Sequence, residues 1–327
     1  MKAFVTGATG FIGSHIIDNL IRKGIQVRAL VRNNSNTVRL MNRGIEFVYG
    51  DVLDRSSLKK HIGDIDLVFS AFGILGQWGM PEETYRDINT KGVKNLIESC
   101  LDSGIKQFIH ISSAGVLGPL PQGVVADESF PYNPSNIYEE TKCEAEKEII
   151  SFAKREGLPF TVIRPEFVYG PGDIHVLGLF KAVKVGKFFI LGNGRSLLHP
   201  TYIDDLVQGI SLCIDNKAAI GKIFLITGEH PISVEDLAKT IADELGVSLP
   251  KIKIPLFVAN IAAVLFEWGT KVAGYEPLLT ISRVKFFTEN RSFSCRKAAD
   301  ELGYVPRVNF REGVRRTVRW YRDNGYL

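Results

Sequence analysis

The stretch Lys2–Gly13 reads KAFVTGATGFIG, an apolar strand that runs straight into glycines 7, 10 and 13. Glycine permits positive φ and leaves no Cβ in the way of an approaching pyrophosphate. The pattern that follows predicts a helix over Ser14–Lys23, whose first turn offers unpaired N–H groups and a partial positive charge to an anion. Without context, G-x-x-G-x-x-G is also compatible with a tight strand–helix turn that binds nothing, so the surroundings have to decide.

The surroundings repeat the strand–helix unit. Apolar runs predict further strands at Gln26–Val31, Glu46–Tyr49, Leu67–Ala71, Gln107–Ser112 and Phe160–Arg164, with helical patterns between most of them, notably Asn89–Ser103 and Ile137–Glu156. Strands alternating with helices imply a parallel sheet with right-handed crossovers. Runs such as AFVT and FIHIS are apolar throughout, as strands covered on both faces require. The expectation is an α/β, Rossmann-type doubly wound sheet, in which the glycine loop becomes a dinucleotide site. After Arg164 the regularity weakens, and glycine and proline cluster at residues 169–172 and 191–200. A helix over Ile203–Asp215 and a strand over Lys222–Thr227 are expected to return to the main sheet. Residues 1–165 and 200–228 are therefore assigned to the dinucleotide domain, and 166–199 and 229–327 to a smaller substrate lobe.

The second strand ends VRALVR at Arg32, where an acidic residue would bind a ribose 2′-hydroxyl. A guanidinium suits a 2′-phosphate by charge and forked geometry, so NADP(H) is expected, with NAD(H) as the alternative. The competing reading is a solvated surface arginine. Asp51 and Val52, after the third strand, are placed toward the adenine.

Bulk properties narrow the classes. A chain of 327 residues exceeds one hydrophobic core. Net charge +4 is too small to imply nucleic acid as a partner. Cys100, Cys143, Cys213 and Cys295 stand at no metal-ligand spacing, so reduced thiols and no metal are expected. The amino terminus lacks the regions of a signal peptide, and Ile254–Phe266 is too short to span a bilayer, so a cytoplasmic location without stable membrane insertion is expected.

Tyr138 and Lys142 lie four residues apart at the start of a predicted helix and so share one face. A phenol with a pKa of about 10 is a poor base near neutrality. A nearby ammonium favours the phenolate, which makes the pair a candidate acid/base. Ser113 follows the fifth strand, at the sheet edge where open α/β folds bind ligands. Y-x-x-x-K by itself is common on exposed helices.

Together these pieces resemble the extended short-chain dehydrogenase/reductase family, also called the NAD-dependent epimerase/dehydratase family. The resemblance rests on TGATGFIGSH (6–15), GDVLD (50–54), NTKGVKNLIE (89–98), HISSAGVLG (110–118), YEETK (138–142), RPEFVYGPGD (164–173), HPTYIDD (199–205) and SCRKAADELGYVP (294–306). It implies a catalytic set of Ser113, Tyr138 and Lys142, with Lys142 also on the nicotinamide ribose. It implies cofactor contacts from Gly7, Thr9, Gly10, Phe11, Ile12, Gly13, Ala71 and Pro165, with Asn89 supporting the architecture. It further implies a homodimer through the helices at 89–103 and 137–156.

Departures from the family pattern select a branch. The Asp-Glu pair that the 4,6-dehydratases carry beside the catalytic hydroxyl residue is missing from the segment Ser113-Ala114-Gly115-Val116. The asparagine of the UDP-galactose 4-epimerases is replaced by Phe167, and their Arg-x-Gly-Asp by Asn290-Arg291-Ser292-Phe293. Val27–Arg32 and Ser294–Pro306 look more like the dihydroflavonol-reductase and 3β-hydroxysteroid-dehydrogenase branches. The expectation is therefore a hydride transfer between NADP(H) and a secondary alcohol or ketone. A nucleotide-sugar epimerase or reductase is the alternative, and a non-catalytic NADP-binding regulator the third reading. Phe167, Trp78 and His199 are the candidate substrate contacts, His199 being more simply read as a hydrogen-bonded structural residue. Tyr169, Phe188, Phe189 and Trp268 are the other aromatics available to an apolar pocket, each more simply read as core. Asp204 and Asp205 read as acids at a helix start. Ile254–Tyr275 reads as a lid, a lipid-facing helix or a packed helix.

Overall fold

The computed structural model describes residues 1–327 except 77, 102, 274–276 and 278 and the side chains of 271–273. Seven strands make one parallel sheet: β1 (Lys2–Thr6), β2 (Gln26–Val31), β3 (Glu46–Tyr49), β4 (Leu67–Ser70), β5 (Gln107–Ile111), β6 (Phe160–Pro165) and β7 (Lys222–Ile226). Their order is β7-β6-β5-β4-β1-β2-β3. β4, β5 and β6 are buried at every residue, which is why their sequences carry no polar alternation. Two apolar layers flank the sheet, one containing Ile16, Ile17 and Leu20, the other Leu58, Leu96 and Ile149.

The chain leaves β1 in one direction toward β2 and β3, and in the other toward β4. That reversal opens a crevice at the carboxyl edge, where ligands of open α/β sheets bind. The first helix begins at Phe11 rather than Ser14, so the last two glycines lie at its start. Helical backbone runs from Glu82 through Ser99, with Arg86–Lys91 in the wider π geometry, and stops short of the expected Ser103. Helix Ile137–Glu156 starts where Asn136 accepts from the Glu139 N–H and ends at the left-handed Gly157. Helix Ile203–Cys213 packs on the first helix, and β7 pairs in parallel with β6. Asp205 in its first turn accepts from the N–H groups of Arg307 and Val308, tying down the late chain.

Outside the main sheet the later chain is mainly helical. Helices Leu177–Lys184, Val234–Leu245 and Phe310–Asp323 pack together, and Ile281–Thr288 lies over the crevice. The apolar segment near 254–275 forms helix Leu256–Ala273; Tyr275 is outside the described residues. All four cysteines are free thiols, and the described residues contain no metal-binding cluster. Among them, no helix is long and apolar enough to cross a membrane.

Candidate active site

The carboxyl ends of four adjacent strands meet at one cleft of about 540 Å³. β1 leads to Gly10–Ile12, β4 to Ala71–Gly73, β5 to Ser112 and Ser113, and β6 to Pro165–Val168, all of which line it. Helix Ile137–Glu156 brings Tyr138, Glu139 and Lys142 to the same cavity.

The glycine loop is as tight as its sequence suggests. Gly7 has φ +70°, and a Cβ there would sit 2.4 Å from the carbonyl oxygen of Ala71. At Gly13 a Cβ would sit 2.1 Å from the carbonyl oxygen of Gly7. No side chain caps the helix that starts at Phe11, so its first N–H groups remain available to an anion. The cradle and the helix start fit a dinucleotide diphosphate. Arg32 and Asp51–Val52 lie at the ends of β2 and β3, outside the cleft lining; Arg32 is exposed.

Asn89 sits on the π segment and is buried. Its side chain accepts from Ile74 N–H at 2.8 Å and donates to the Ile74 carbonyl at 3.1 Å and to Thr141 Oγ1 at 3.0 Å. It thus clamps the loop after β4 to the helix bearing Tyr138. The wider π turn is a feature that often marks functional sites. Lys142 is buried and donates to the Ile111 carbonyl at 2.8 Å. Burial lowers its pKa to about 8. Gly73 passes so close that a Cβ would meet Lys142 Nζ at 3.3 Å.

The phenol behaves differently from the expectation of an acidified tyrosine. Burial is the main cause that raises the Tyr138 pKa; a hydrogen bond with Ser113 opposes it, and the carboxylates of Glu166 and Glu139 reinforce it. Sequence spacing put an ammonium beside the phenol. The fold spends that ammonium on a backbone carbonyl and brings carboxyl groups to the phenol instead. Ser113 Oγ also accepts from Gly115 N–H at 3.0 Å, which fixes its position.

Three charged residues escaped the sequence reading as a group: Glu139, Glu166 and Arg291. All line the cleft, and all are buried. Arg291 is 2.9 Å from Glu139. Glu139 also accepts from Ser135 N–H and Oγ, each at 2.8 Å. Burial raises the Glu166 pKa to about 7, against the pull of Arg291. Only adjacency to Phe167 in the family-like RPEF segment hinted at Glu166. Beneath the cleft, buried Glu146 pairs with Arg164 at 2.6 Å and accepts from Tyr132 and Ser112.

Of the candidate substrate contacts, Phe167 lines the cleft, with φ +38°, a conformation that non-glycine residues rarely adopt. Trp78 is not among the lining residues. His199 is also elsewhere, which corrects the expectation for it. It is buried, Nδ1 accepts from Phe293 N–H at 3.3 Å and Nε2 donates to the Gly228 carbonyl at 3.0 Å. Burial lowers its pKa to about 4, so it is a neutral structural link between segments. Tyr169 is core and Phe188 packs edge-on to Phe287, whereas Phe189 and Trp268 are exposed.

The model of the NAD-dependent epimerase/dehydratase family matches residues 3–227. The 3β-hydroxysteroid-dehydrogenase/decarboxylase isoform 1 of Arabidopsis thaliana is 31% identical, over 96% of this chain and 78% of its own length. The decarboxylating sterol-4-alpha-carboxylate 3-dehydrogenase of Schizosaccharomyces pombe is 30% identical, over 98% of this chain and 97% of its own. Among solved structures, UDP-glucuronic acid 4-epimerase from Bacillus cereus in complex with NAD is similar with TM-score 0.79 and 25% identity over the full length of both chains.

Proposed function

The chain belongs to the NAD-dependent epimerase/dehydratase family and is an oxidoreductase of the extended short-chain type; we propose that it moves a hydride between NADP(H) and a secondary alcohol or ketone of low polarity. The observation that carries this reading is the meeting of Ser113, Tyr138 and Lys142 with the glycine loop at one cleft. When bound, the nicotinamide dinucleotide supplies or accepts the hydride. Gly7, Thr9, Gly10, Phe11, Ile12 and Gly13 hold its diphosphate, Lys142 and Asn89 organise the ribose end, Ala71 and Pro165 flank it, and Arg32 takes the 2′-phosphate.

Tyr138 is the general acid/base. With its pKa raised it holds its proton near neutrality, which suits donation to a substrate oxygen in the reductive direction. Ser113 holds that same oxygen by a hydrogen bond. Residues 166–199 and 229–327 serve as the substrate lobe. A homodimer through the helical segments at 89–99 and 137–156 completes the proposal.

Apolar substrates are favoured over nucleotide sugars by the charge of the cleft. Its buried arginine, Arg291, already faces Glu139, and Glu166 lies nearby. A sugar diphosphate meets carboxyl groups there. Phe167, Val168, Val176, Ile281 and Phe286 offer an apolar wall instead. Both relatives named above carry sterol or steroid dehydrogenase in their names, which supports the same class.

The test is a panel of steroid, terpenoid and small aliphatic ketones followed by NADPH absorbance, with wild type and Tyr138→Phe. Loss of turnover on the order of a hundredfold or more with unchanged NADPH binding is expected. Intact turnover in the variant removes Tyr138 from its role. NAD⁺ retained through purification shifts the assignment to an epimerase, which regenerates its cofactor in each cycle.

A further inference from the structure

The carboxyl of Glu166 takes no hydrogen bond from the described residues, although the residue is only 4% exposed and lines the cleft. Arg291, the cation whose charge reaches it, gives Nη2 to Glu139 at 2.9 Å instead. Glu289 Oε2 and Asp173 Oδ2 also lack partners, but both are sealed inside the protein. The Glu166 oxygens are not sealed, so what they meet is the cleft. A buried carboxyl left in that state costs free energy until a ligand brings it a donor.

The backbone fixes where that carboxyl points. Glu166 follows β6 directly and stands two residues after Arg164, and positions two apart along a strand face the same way. Arg164 reaches Glu146 on helix Ile137–Glu156, so Glu166 turns to the same side, toward Tyr138 and Glu139 at the start of that helix. The Glu166 carbonyl accepts from Thr201 Oγ1 at 2.6 Å, and the Phe167 carbonyl from the Thr201 N–H at 3.2 Å. Burial apart, Glu166 is the group that most strengthens the hold of Tyr138 on its proton. With a substrate oxygen held by Tyr138 and Ser113, Glu166 therefore faces the atoms beside the reacting carbon.

The state of the carboxyl selects the donor. Burial raises its pKa to about 7, so the acid and the carboxylate are both present near neutrality. An ammonium complements only the carboxylate, and an anion only the acid. A hydroxyl both donates and accepts, so it complements either form. Phe167 and Phe286 on the cleft wall suit a carbon skeleton around this one polar group.

We propose that Glu166 determines specificity by receiving a hydroxyl carried next to the reacting carbon, so that the substrate is an α-hydroxy ketone, or the corresponding vicinal diol, on an apolar skeleton. This assignment deepens the hydride-transfer reading and rests on it.

The probes are acetophenone and α-hydroxyacetophenone, which differ by that hydroxyl alone. Isothermal titration calorimetry measures their binding to the full chain loaded with NADP⁺, where no hydride is present to reduce them. Wild type is expected to bind the hydroxy ketone about tenfold or more tighter, because the parent ketone leaves the carboxyl unpartnered. Glu166→Ala is expected to bring the two ketones within about twofold of each other. Glu166→Gln, whose amide also donates and accepts, is expected to keep a preference. Circular dichroism and NADP⁺ affinity report whether the variants are folded. A merely structural role changes both ketones together and leaves their ratio unmoved. Wild type that does not distinguish the ketones, whether it binds both or neither, overturns the proposal, and so does a preference that survives in Glu166→Ala. NADPH oxidation with the same pair separates the two readings. Preferential binding without turnover counts against hydride transfer and leaves the hydroxyl site standing, whereas turnover of both ketones at equal kcat/KM removes the role of Glu166 alone.

Discussion

Glu166→Gln probes the cleft through stability, independently of any substrate. Burial raises the folded-state pKa of this carboxyl from 4.5 to about 7. Between those values the folded chain holds a proton that the unfolded chain has released, so stability falls as pH rises through this window. Above it the penalty of the buried carboxylate is fully present. At about 1.4 kcal/mol per tenfold in acidity, the move corresponds to about 3 kcal/mol. Unfolding entropy of roughly 2.1 cal/mol/K per residue gives about 0.7 kcal/mol/K for this chain, so the effect is about 4 °C in Tm. Glutamine keeps the shape and cannot ionise. The difference in Tm, variant minus wild type, is therefore expected to increase by about 4 °C from pH 5 to pH 8. Differential scanning fluorimetry across that range measures it, and taking the difference cancels any fixed cost of the amide. A difference that is flat with pH, or that shrinks toward alkaline pH, refutes the account of a carboxyl destabilised by burial beside Tyr138.

Further outcomes follow from the same geometry. Arg32→Asp is expected to weaken NADPH binding roughly ten- to a hundredfold while sparing NADH, the effect of one charge-assisted contact; fluorescence titration with both cofactors checks it, and equal losses count against the 2′-phosphate role. Gly13→Ala pushes a Cβ to 2.1 Å from the Gly7 carbonyl oxygen, so the loop has to shift and dinucleotide affinity is expected to fall roughly ten- to a hundredfold; unchanged titration curves sink this. Glu146→Gln leaves Arg164 buried without its counter-ion, a loss of about 3–5 kcal/mol. That lowers Tm by roughly 4–7 °C, and a drop under a degree in thermal melts contradicts it.

What the sequence reveals is what local spacing encodes. The glycine loop needs only its own residues and the strand before it, and the strands around it were legible as unbroken apolar runs. Tyr138 and Lys142 were legible as neighbours because four residues make one helical turn. The proton affinity of Tyr138 was not, because it depends on groups that lie far from it in sequence or end up elsewhere in space. Lys142 is turned to the Ile111 carbonyl, while Glu166 comes from the end of β6. Arg291, more than a hundred residues later, completes the cluster. His199 shows the same limit: beside a family-like motif it stood open to a substrate contact as well as to a structural role, and only the fold brings Phe293 and Gly228 to its two ring nitrogens.

The same contrast bears on how the chemistry is divided. An acid/base tyrosine has two tasks, to hold a proton for reduction and to lose it for oxidation, and its environment cannot favour both at one pH. Here burial, Glu166 and Glu139 all act in one direction, toward the protonated phenol. Lys142 is directed to the Ile111 carbonyl and is not among the groups that shift the phenol. In the role proposed for it, Tyr138 is thus held ready for proton donation. Glu166 is part of that setting: near neutrality it is itself poised between charge states, so its own ionisation tightens the hold of Tyr138 on its proton as pH rises. The two groups titrate as neighbours, and replacing the carboxyl changes the acidity of the phenol without touching it.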